Sequence, residues 1–487
     1  MGAMEAVAQE IAERVRATQF LRIVTHIDTD GITGGAIASE ALDRAGIAHE
    51  VAFVKKLDEA VLTELKRQGT PLVWFIDLGA GMLHAFHGLD AVITDHHVPT
   101  EREVPKALRG DLLRFAESQD RVLMLNPHLE GGGSDVASGA GCAYAVAKAL
   151  DPKNTDLAAV AIVGAVGDVQ DQEFRRLSGY NRTILGDGIA AGVLQAQIDL
   201  RLFGRETRPA YKVLQYATDP WIPRLSGNEE ACIAFLLELG VDLKAEDHWR
   251  SWSDLDRGEK QRVVSALASH MLERGCGVKE AERLVGETYT LVREPPGSPT
   301  RDAKEFGTLV NACGRYDQPE VGYRVCRGDR DEYLAQALRL LRGHREYLVE
   351  SMDAIAEAGI NQMDSIQYFH AADRIRDTVV GIAASLALNR EGATKDLPII
   401  AFAKADDGIK VSARTTRELV ARGLDLAAIM QAASKAVGGQ GGGHHAAAGA
   451  TIPPGTEEKF LELANRMVRE QLSAVRRDDL SGTEPTE

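Results

Sequence analysis

The stretch LRIVTHIDTDGITGGAIASEALDRAG, residues 21–46, decides the fold class of this 487-residue chain. Its first part is an apolar run typical of a buried strand, and its second part carries apolar residues at helical spacing. Further β-rich runs follow at HEVAFVKK, PLVWFIDLG, AVITDHH and RVLMLNP, with helical patterns alternating along residues 4–190. Strands that alternate with helices predict an α/β fold in which helices cover both faces of a parallel sheet.

Four apolar runs in the first part of the chain end in aspartate or histidine. They are VTHIDTDG, VWFIDLG, AVITDHH and AIVGAVGDVQD. Ligands of parallel sheets bind beyond the carboxyl ends of the strands, so one site is expected to gather all four clusters. Buried carboxylates and imidazoles are costly unless positive charge lies between them. A pair of divalent metal ions would supply this charge, and two-metal sites commonly cleave phosphate esters.

The first two clusters also have a purely structural interpretation. His26, Asp28 and Asp30 would point to one side of an extended segment, as metal ligands could. Asp30 could instead cap a helix that starts near Ile32. Asp77 ends the run VWFID, where the sequence is equally compatible with a metal ligand and with a cap or turn residue.

The last two clusters are harder to explain without a ligand. The adjacent His96 and His97 point different ways, so one imidazole could bind a metal while the other faces a substrate. Asp95 could orient an imidazole from behind. Asp168 closes an apolar helical run, where an unpaired carboxylate is unfavourable. Mixed imidazole and carboxylate ligands suit Mn²⁺, with Mg²⁺ as the alternative, and a bridging carboxylate would hold two such ions together.

A glycine-rich segment near the carboxyl end is the second functional signal. The run GGQGGGHHAAAGA, residues 438–450, contains Gly442, Gly443 and His444. Its backbone N–H groups could approach an anion and His444 could donate to the same phosphate, although a flexible linker has a similar composition. Ser412 and Arg414 lie two residues apart on a predicted strand and so share one face. Arg414 is a candidate phosphate clamp, with an exposed surface arginine as the alternative.

Composition limits the class of protein. The formal net charge of −16 argues against a protein that coats nucleic acid through bulk electrostatics. Five scattered cysteines without CxxC spacing argue against a zinc finger or a disulfide framework and fit a reducing cytoplasm. No uninterrupted apolar stretch reaches about 18 residues, so we expect a cytoplasmic protein with no membrane partner. Arg201, Arg205, Arg208 and Lys212 form either a basic strip or a solvated face.

Taken together, the motifs resemble those of the DHH phosphoesterase superfamily. HIDTDG, FIDLG, TDHH, SGAG and GAVGDVQD follow that family's motifs in order and spacing. SARTT and GGGHHAAAG resemble its associated carboxyl-terminal substrate-binding domain. Within the superfamily the chain is most similar to archaeal RecJ-like single-strand exonucleases, including the helicase-associated nuclease type.

The resemblance implies a division of the chain into domains. The DHH phosphoesterase domain would occupy residues 1–195, and a mostly helical insertion domain residues 196–340. A linking helix, 341–358, would lead to a smaller α/β carboxyl-terminal substrate-binding domain at 359–475. The last residues, 476–487, are polar, and we expect a disordered tail.

The resemblance also implies two manganese ions and their ligands. The first ion would be bound by His26, Asp28 and Asp77. The second would be bound by Asp30, Asp77, His96 and Asp168, so that Asp77 bridges the pair. His26 stands where bacterial RecJ enzymes usually carry aspartate, a departure that the archaeal group shares. This difference should alter metal preference more than reaction type.

The remaining site residues are expected to act on the substrate. Asp95 would support the metal ligands from behind, and His97 would contact the scissile phosphate; these two are the expected catalytic residues. The expected substrate-binding residues are Ser138, Ser412, Arg414, Gly442, Gly443 and His444.

The leading hypothesis is a metal-dependent, single-strand-specific exonuclease that hydrolyses DNA or RNA by a two-metal mechanism. Its expected partners are single-stranded nucleic acid and the replicative helicase/GINS complex. One alternative is a phosphodiesterase of short oligonucleotides or cyclic dinucleotides. Another is a mainly structural helicase-associated subunit, which the intact set of expected metal ligands disfavours.

Overall fold

The computed structural model describes residues 2–99, 122–246, 248–388 and 392–481. The chain divides into two compact units, Met1–Leu341 and Arg342–Glu487. Among the described residues, no helix is long and apolar enough to cross a membrane.

The first unit is built on five parallel strands. They are β1 (Phe20–His26), β2 (Ala48–Val54), β3 (Val73–Ile76), β4 (Ala91–Thr94) and β5 (Val122–Leu125). Their order across the sheet is β2-β1-β3-β4-β5, and every pairing is parallel. β3 and β4 are buried along their whole length, as their continuous apolar runs predict for a sheet covered on both faces. The predicted α/β fold with a parallel sheet is therefore confirmed.

Helices cover both faces of this sheet. They are α1 (Ala3–Arg16), α2 (Thr29–Ala45), α3 (Glu59–Gln68), α4 (Gly139–Leu150), α5 (Ala158–Gly167) and α6 (Gly179–Ala190). On one face, α1, α2, α4, α5 and α6 share a core with Trp74 and Ile76. On the other face, α3 and the 3₁₀ segment Ala80–Phe86 pack against Phe75 and Ile93. Because the side chains of a strand alternate between faces, β3 supplies both cores.

The segment between α6 and the second unit contains two different parts. β6 (Leu194–Leu200) and β9 (Val285–Leu291) pair antiparallel. Between them lie α7 (Ala210–Gln215), α8 (Glu229–Glu238), β7 (Lys244–Ala245), β8 (His248–Trp249), α9 (Arg257–Glu273) and α10 (Val278–Ala281). These elements enclose a core of their own around Leu236, Trp252 and Leu267. By contrast, α11 (Ala303–Arg315) and α12 (Pro319–Cys326) pack into the core of the parallel sheet.

A single long helix, α13 (Glu332–Ala358), contains the expected linking helix and begins earlier than residue 341. The boundary between the two units falls within it.

The second unit is built on a six-stranded mixed sheet. Its strands are β10 (Asn361–Gln362), β11 (Gln367–Ala372), β12 (Ile399–Ala405), β13 (Gly408–Arg414), β14 (Gln440–Gly443) and β15 (Ala447–Ile452). The strand order is β10-β11-β12-β13-β15-β14. β12 and β13 form the hairpin that the sequence predicts, with Asp406 and Asp407 in its turn.

Helices pack on both faces of this second sheet. They are α14 (Val380–Ala387), α15 (Arg417–Ala421), α16 (Leu426–Ala436) and α17 (Glu457–Ser481). Phe402, Val411 and Phe460 belong to the core on one face, and Phe369 and Ile399 to the core on the other. α17 runs past residue 476 to Ser481, so the first part of the expected tail is helical. Residues 482–487 lie outside the described part of the chain.

Candidate metal centre and substrate-binding residues

The carboxyl ends of three neighbouring strands bring the acid and histidine clusters together. His26 is the last residue of β1, Asp77 directly follows β3, and Asp95 directly follows β4. These strands lie side by side in the sheet. The expectation that one edge of the sheet gathers these clusters agrees with the observed topology.

Asp30 does not lie on an extended segment with His26, and that part of the prediction is wrong, whereas Asp28 has an extended backbone and its carboxylate lies 3.0 Å from the His26 Nδ1. The strand ends at His26 and α2 begins at Thr29. Asp28 is the cap of α2, because its carboxylate accepts a hydrogen bond of 3.0 Å from the Gly31 N–H. Asp30 occupies the first turn of the helix and is buried. The helix geometry therefore separates the two carboxylates.

Asp30 is held by the amino terminus of α4. Its carboxylate accepts hydrogen bonds from Gly139 N–H at 2.6 Å and Ala140 N–H at 3.0 Å. A Cβ atom at Gly139 would lie 2.7 Å from the Asp77 Cβ, and one at Gly164 would lie 2.9 Å from an Asp30 oxygen. At both positions a side chain would collide with these neighbours, so only glycine fits. The SGAG motif therefore holds Asp30.

Ser138, which the sequence predicts to bind substrate, has a different position. It is fully buried, and its hydroxyl accepts a hydrogen bond of 3.1 Å from the Gly141 N–H as the cap of α4. A buried cap offers no surface to a substrate, so this assignment is corrected. A helix cap and an anion-binding loop use the same small residues, which explains the error.

Asp77 lies between two groups of donors. Its Oδ2 is 3.3 Å from the Nδ1 of His26, and its Oδ1 is 3.4 Å from the Nε2 of His96. The side chain is 1 % exposed, and among the described residues Oδ1 makes no hydrogen bond. Its backbone has φ 60°, a left-handed conformation that costs about 1 kcal/mol or more in a residue other than glycine. A strained residue with an unsatisfied buried oxygen indicates a ligand at this point.

Among the described residues, the donors form three triads. The first contains His26, Asp28 and Asp77, and the second contains Asp30, His96 and Asp168. The third, formed by Asp77, His96 and His97, shares Asp77 with the first triad and His96 with the second. The donor atoms of each triad lie within 4.8 Å of one another. In the second triad, the Nε2 of His96 is 3.7 Å from an Asp30 oxygen and 3.5 Å from an Asp168 oxygen.

The electrostatics of the cluster favour a bound cation. Burial and the nearby charge of Asp77 raise the pKa of Asp30 well above its ordinary value. Burial likewise raises the pKa of Asp168 to about 6, despite the opposing effect of His96. Burial opposes the protonation of His26, but the carboxylates of Asp28 and Asp77 outweigh it and raise its pKa. The cluster thus attracts protons, as closely packed buried carboxylates do when no other positive charge is present. Nitrogen and oxygen donors without a thiolate suit a divalent metal ion.

His97 and Asp95 form a pair beside this cluster. The Asp95 carboxylate accepts from the His97 Nδ1–H at 2.8 Å and from the backbone N–H groups of Ala80 and His96. Burial opposes the ionisation of Asp95, but these donors and the histidine charges lower its pKa to about 2. The imidazole of His97 is 51 % exposed, whereas Asp95 is 1 % exposed. Asp95 therefore supports His97 from the protein side and leaves its ring accessible.

Gln170 is a residue of this site that the sequence analysis missed. Its Nε2 donates to the Asp168 carboxylate at 2.9 Å and to the Ser134 carbonyl at 2.9 Å. The Nδ1 of His96 lies 3.1 Å from the same carbonyl, which turns its Nε2 toward the carboxylates. Asn181 donates to the Gln170 Oε1 at 2.6 Å. The position of Gln170 two residues after Asp168 was the one available sequence signal.

The candidate substrate-binding residues of the second unit converge on one part of its sheet. Ser412 and Gly442 both lie opposite Gly449, one on each side of β15. Arg414 lies on the same face as Ser412, where a Cβ atom at Gly381 would overlap its guanidinium group. α14 therefore passes close to the Arg414 guanidinium at Gly381.

His444 and Gly443 follow at the end of β14. Gly443 has φ 137°, and a Cβ atom there would lie 2.6 Å from the Ala448 Cα. The His444 N–H donates to the Ala447 carbonyl at 2.9 Å in a tight turn, and its side chain is exposed. The glycine run is thus an ordered β-turn-β element, and the linker interpretation does not apply.

The basic strip considered near residue 201 is in part a buried ion-pair network. Arg201 pairs with Asp171 at 2.5 Å, and Arg205 pairs with Asp199 at 3.0 Å and with Asp302 at 2.5 Å. Arg205 is 4 % exposed. Arg201 is thus paired with the loop after α5, and Arg205 with β6 and the cap of α11, so these two arginines are structural.

Two segments of this chain match known domain families. Residues 202–285 match the DHH-CID domain model, and residues 365–470 match the DHHA1 domain model. The chain is 28% identical over 476 residues to an uncharacterized protein of Methanocaldococcus jannaschii, covering 96% of this chain and 98% of the relative. The two matched domains correspond to the separately packed insertion and to the second unit.

Two solved structures share the fold at low sequence identity. The RecJ of Thermus thermophilus in complex with Mn²⁺ aligns over 96% of this chain and 55% of its own, with a TM-score of 0.56 and 16% identity. This chain therefore spans about half the length of that RecJ. CDC45 from Entamoeba histolytica aligns over 96% of this chain and 99% of its own, with a TM-score of 0.61 and 12% identity. A DHH-CID domain, a DHHA1 domain and a RecJ-like fold therefore confirm the expected resemblance of this chain to the DHH superfamily.

Proposed function

We propose that this protein is a metal-dependent exonuclease that hydrolyses phosphodiester bonds of single-stranded DNA or RNA. The observation that carries the proposal is the position of Asp77. One of its carboxylate oxygens faces His26 and the other faces His96, in two separate triads of donors. A carboxylate shared by two donor sets is the arrangement that a two-metal phosphodiesterase requires.

In this proposal the first triad holds one ion and the second triad, with Asp77, holds the other. Mn²⁺ is favoured over Mg²⁺, because imidazole nitrogens supply part of each donor set and Mg²⁺ prefers oxygen donors. The RecJ of Thermus thermophilus has been crystallised with Mn²⁺, which supports the choice. When bound, the two ions would lower the pKa of a water molecule and neutralise charge on the phosphoryl oxygens.

His97 is proposed to bind the scissile phosphate. Burial favours the neutral ring of His97, but the hydrogen bond to Asp95 outweighs this effect and raises the pKa of His97 to about 9. The ring is then protonated at neutral pH, and its exposed face presents a positive charge to an anion. Asp95 keeps this orientation through its buried hydrogen bonds, and Gln170 keeps Asp168 in place.

The second unit is proposed to bind the phosphates of the strand. Arg414 supplies a planar cation that suits phosphate oxygens, and Ser412 adds a hydroxyl on the same face. The N–H groups of Gly442 and Gly443 and the exposed ring of His444 extend this set along the turn. Glycine at these positions allows the backbone itself to approach an anion.

The direct test is digestion of oligonucleotides labelled at either end by the purified full chain with Mn²⁺. We expect nucleotide release from a single strand, with Asp77→Asn slowing it by more than about a hundredfold. Asp364→Asn is the matched control, because this exposed carboxylate of the second unit loses the same charge outside the site. If Asp77→Asn digests as fast as the control, the assignment is wrong.

A phosphodiesterase of short substrates is the principal alternative. The separately packed insertion favours a longer polymer, because a short substrate needs no additional domain. Comparison of a dinucleotide, a cyclic dinucleotide and a longer oligonucleotide separates the two. Preferential cleavage of either dinucleotide would exclude the polymer.

Association with the replicative helicase/GINS complex is part of the same proposal. The resemblance to CDC45 over nearly the full length of both chains supports a shared fold. A structural role without catalysis is compatible with that fold. Affinity purification of the tagged chain from its own cells is the test. A purified chain that binds replisome subunits but neither binds Mn²⁺ nor cleaves a strand would favour the structural subunit.

A further inference from the structure

A cavity of about 600 Å³ lies in the second unit, at the hairpin end of β12 and β13. It is bordered by β11, the hairpin turn and the start of α17, through His370, Asp373, Phe402, Lys404, Asp406 and Glu457. Its volume falls within the range of sites that bind small ligands or peptide side chains. Arg414 lies at the opposite end of β13, about 20 Å away along the strand. The cavity is therefore separate from the candidate phosphate-binding residues.

The cavity contains a flat aromatic platform. The imidazole of His370 lies on the ring of Phe402 with 4.7 Å between ring centroids and an angle of 14° between planes. Phe402 is buried, whereas His370 is exposed. One face of the imidazole is thus supported from below, and the other can receive a planar group. The ring of Tyr368 meets His370 edge-on at 5.7 Å, which further fixes its orientation.

Charged side chains surround this platform. Three are carboxylates, of Asp373, Asp406 and Glu457, and one is the ammonium group of Lys404. Within the described ranges, none of the four forms a hydrogen bond or an ion pair through its side chain. Three negative charges against one positive charge leave the rim negative. A phosphate-bearing ligand is repelled by such a rim, whereas a cation is attracted.

We propose that this cavity binds the guanidinium group of an arginine in a basic peptide segment of a partner protein. A guanidinium is planar, so it can stack on the exposed imidazole face, and its N–H groups can donate to the surrounding carboxylates at the same time. An ammonium group satisfies the carboxylates but cannot stack as a plane. The cavity is larger than one arginine side chain, so neighbouring residues of the peptide fit beside it.

The test is fluorescence anisotropy of labelled peptides with the full chain. We expect a tetra-arginine peptide to bind about tenfold more tightly than a tetra-lysine peptide of the same charge. His370→Leu keeps the bulk of the side chain but removes the flat ring, and it should abolish this preference. The double variant Asp373→Asn/Asp406→Asn should weaken the binding of both peptides.

The controls separate the cavity from the general acidity of the chain. Asp364→Asn removes a carboxylate whose side chain is 82% exposed and which lies outside the cavity, and it should leave the arginine preference unchanged. The proposal would be overturned if the two peptides bound equally well. It would also be overturned if the preference for arginine survived in a His370→Leu variant with an unchanged thermal unfolding curve. Binding of guanosine instead of the peptide would identify a nucleobase site. Argininamide that binds as tightly as the peptide would identify a small-molecule site.

Discussion

Replacement of Gln170 by methionine tests whether the side chains around the metal ligands determine metal affinity. Methionine has nearly the same length as glutamine but lacks both donors and the acceptor. The substitution removes the hydrogen bonds of 2.9 Å to Asp168 and to the Ser134 carbonyl. It also leaves the Asn181 amide without the acceptor that it contacts at 2.6 Å.

The size of the effect follows from these contacts. A hydrogen bond to a charged carboxylate contributes about 1.5–3 kcal/mol, and one to a neutral carbonyl about 1 kcal/mol. Part of this energy holds the Asp168 side chain in its position beside His96. Loss of a group that supports a metal ligand in this way typically lowers metal affinity about 10–100-fold. We therefore expect Gln170→Met to lower the affinity for Mn²⁺ within that range.

Calorimetric titration of the metal-free protein with Mn²⁺ measures this affinity directly. Gln197→Met is a matched control, because the exposed Gln197 amide also donates to the carboxylate two residues away, Asp199, outside the site. The control should bind Mn²⁺ like the parent chain. If Gln170→Met is folded and binds Mn²⁺ as tightly as the control, the reasoning that Gln170 positions Asp168 is refuted.

Three further predictions concern buried positions of the first unit. Burial raises the pKa of Glu305 from its ordinary 4.5 to about 7. The contribution of the neutral Glu305 carboxyl to stability is present below pH 4.5 and is lost as the pH rises through 7. Between these limits, the unfolding free energy of Glu305→Gln should therefore rise by about 3 kcal/mol relative to that of the parent. Urea unfolding at both pH values measures this difference. An unchanged difference between variant and parent at the two pH values would contradict this. Gly139→Ala places a methyl group 2.7 Å from the Cβ of Asp77, so the variant should bind Mn²⁺ much more weakly in a calorimetric titration. If the variant binds Mn²⁺ as tightly as the parent, the close packing of Gly139 against Asp77 is excluded. Arg205→Met removes the ion pairs of this arginine with the buried carboxylates of Asp199 and Asp302. Asp199 keeps Lys260 at 3.5 Å, whereas Asp302 keeps its two backbone N–H donors. Urea unfolding should show a loss of about 3–5 kcal/mol, whereas a loss below about 1 kcal/mol would mean that the Arg205 ion pairs are solvated.

The sequence predicted the parts of the site that depend on strand ends. Asp77 and Asp95 follow continuous apolar runs, and parallel strands place such residues at one edge whatever connects them. His26, at the end of β1, was identified for the same reason. Hydrophobic pattern and topology together were enough for these positions.

Residues at helix termini were predicted less well. Asp28 and Asp30 alternate in sequence as they would in a strand, but the chain enters α2 between them. Ser138 has the residue type of an anion-binding loop and is a buried cap. The same short polar residues serve both purposes, and only the tertiary packing decides between them.

Contacts between distant segments were not predictable. Arg205 meets Asp302, which is 97 residues further along the chain, so no local pattern distinguishes it from a surface arginine. The hydrogen bonds of Gln170 to Ser134 and Asn181 likewise depend on the folded arrangement of loops and helices. A neutral amide carries no charge or periodicity that would mark it in the sequence.

The left-handed backbone of Asp77 also limits how the chain can change over evolutionary time. Glycine adopts its φ of 60° without strain, and asparagine and aspartate tolerate this conformation better than other residues do. A descendant that lost its activity but kept its fold could therefore most easily carry asparagine or glycine at this position. A single nucleotide change converts an aspartate codon into either. Under the proposed function, the geometry that fixes the Asp77 carboxylate thus also provides a short mutational route from an enzyme to an inactive relative with the same architecture.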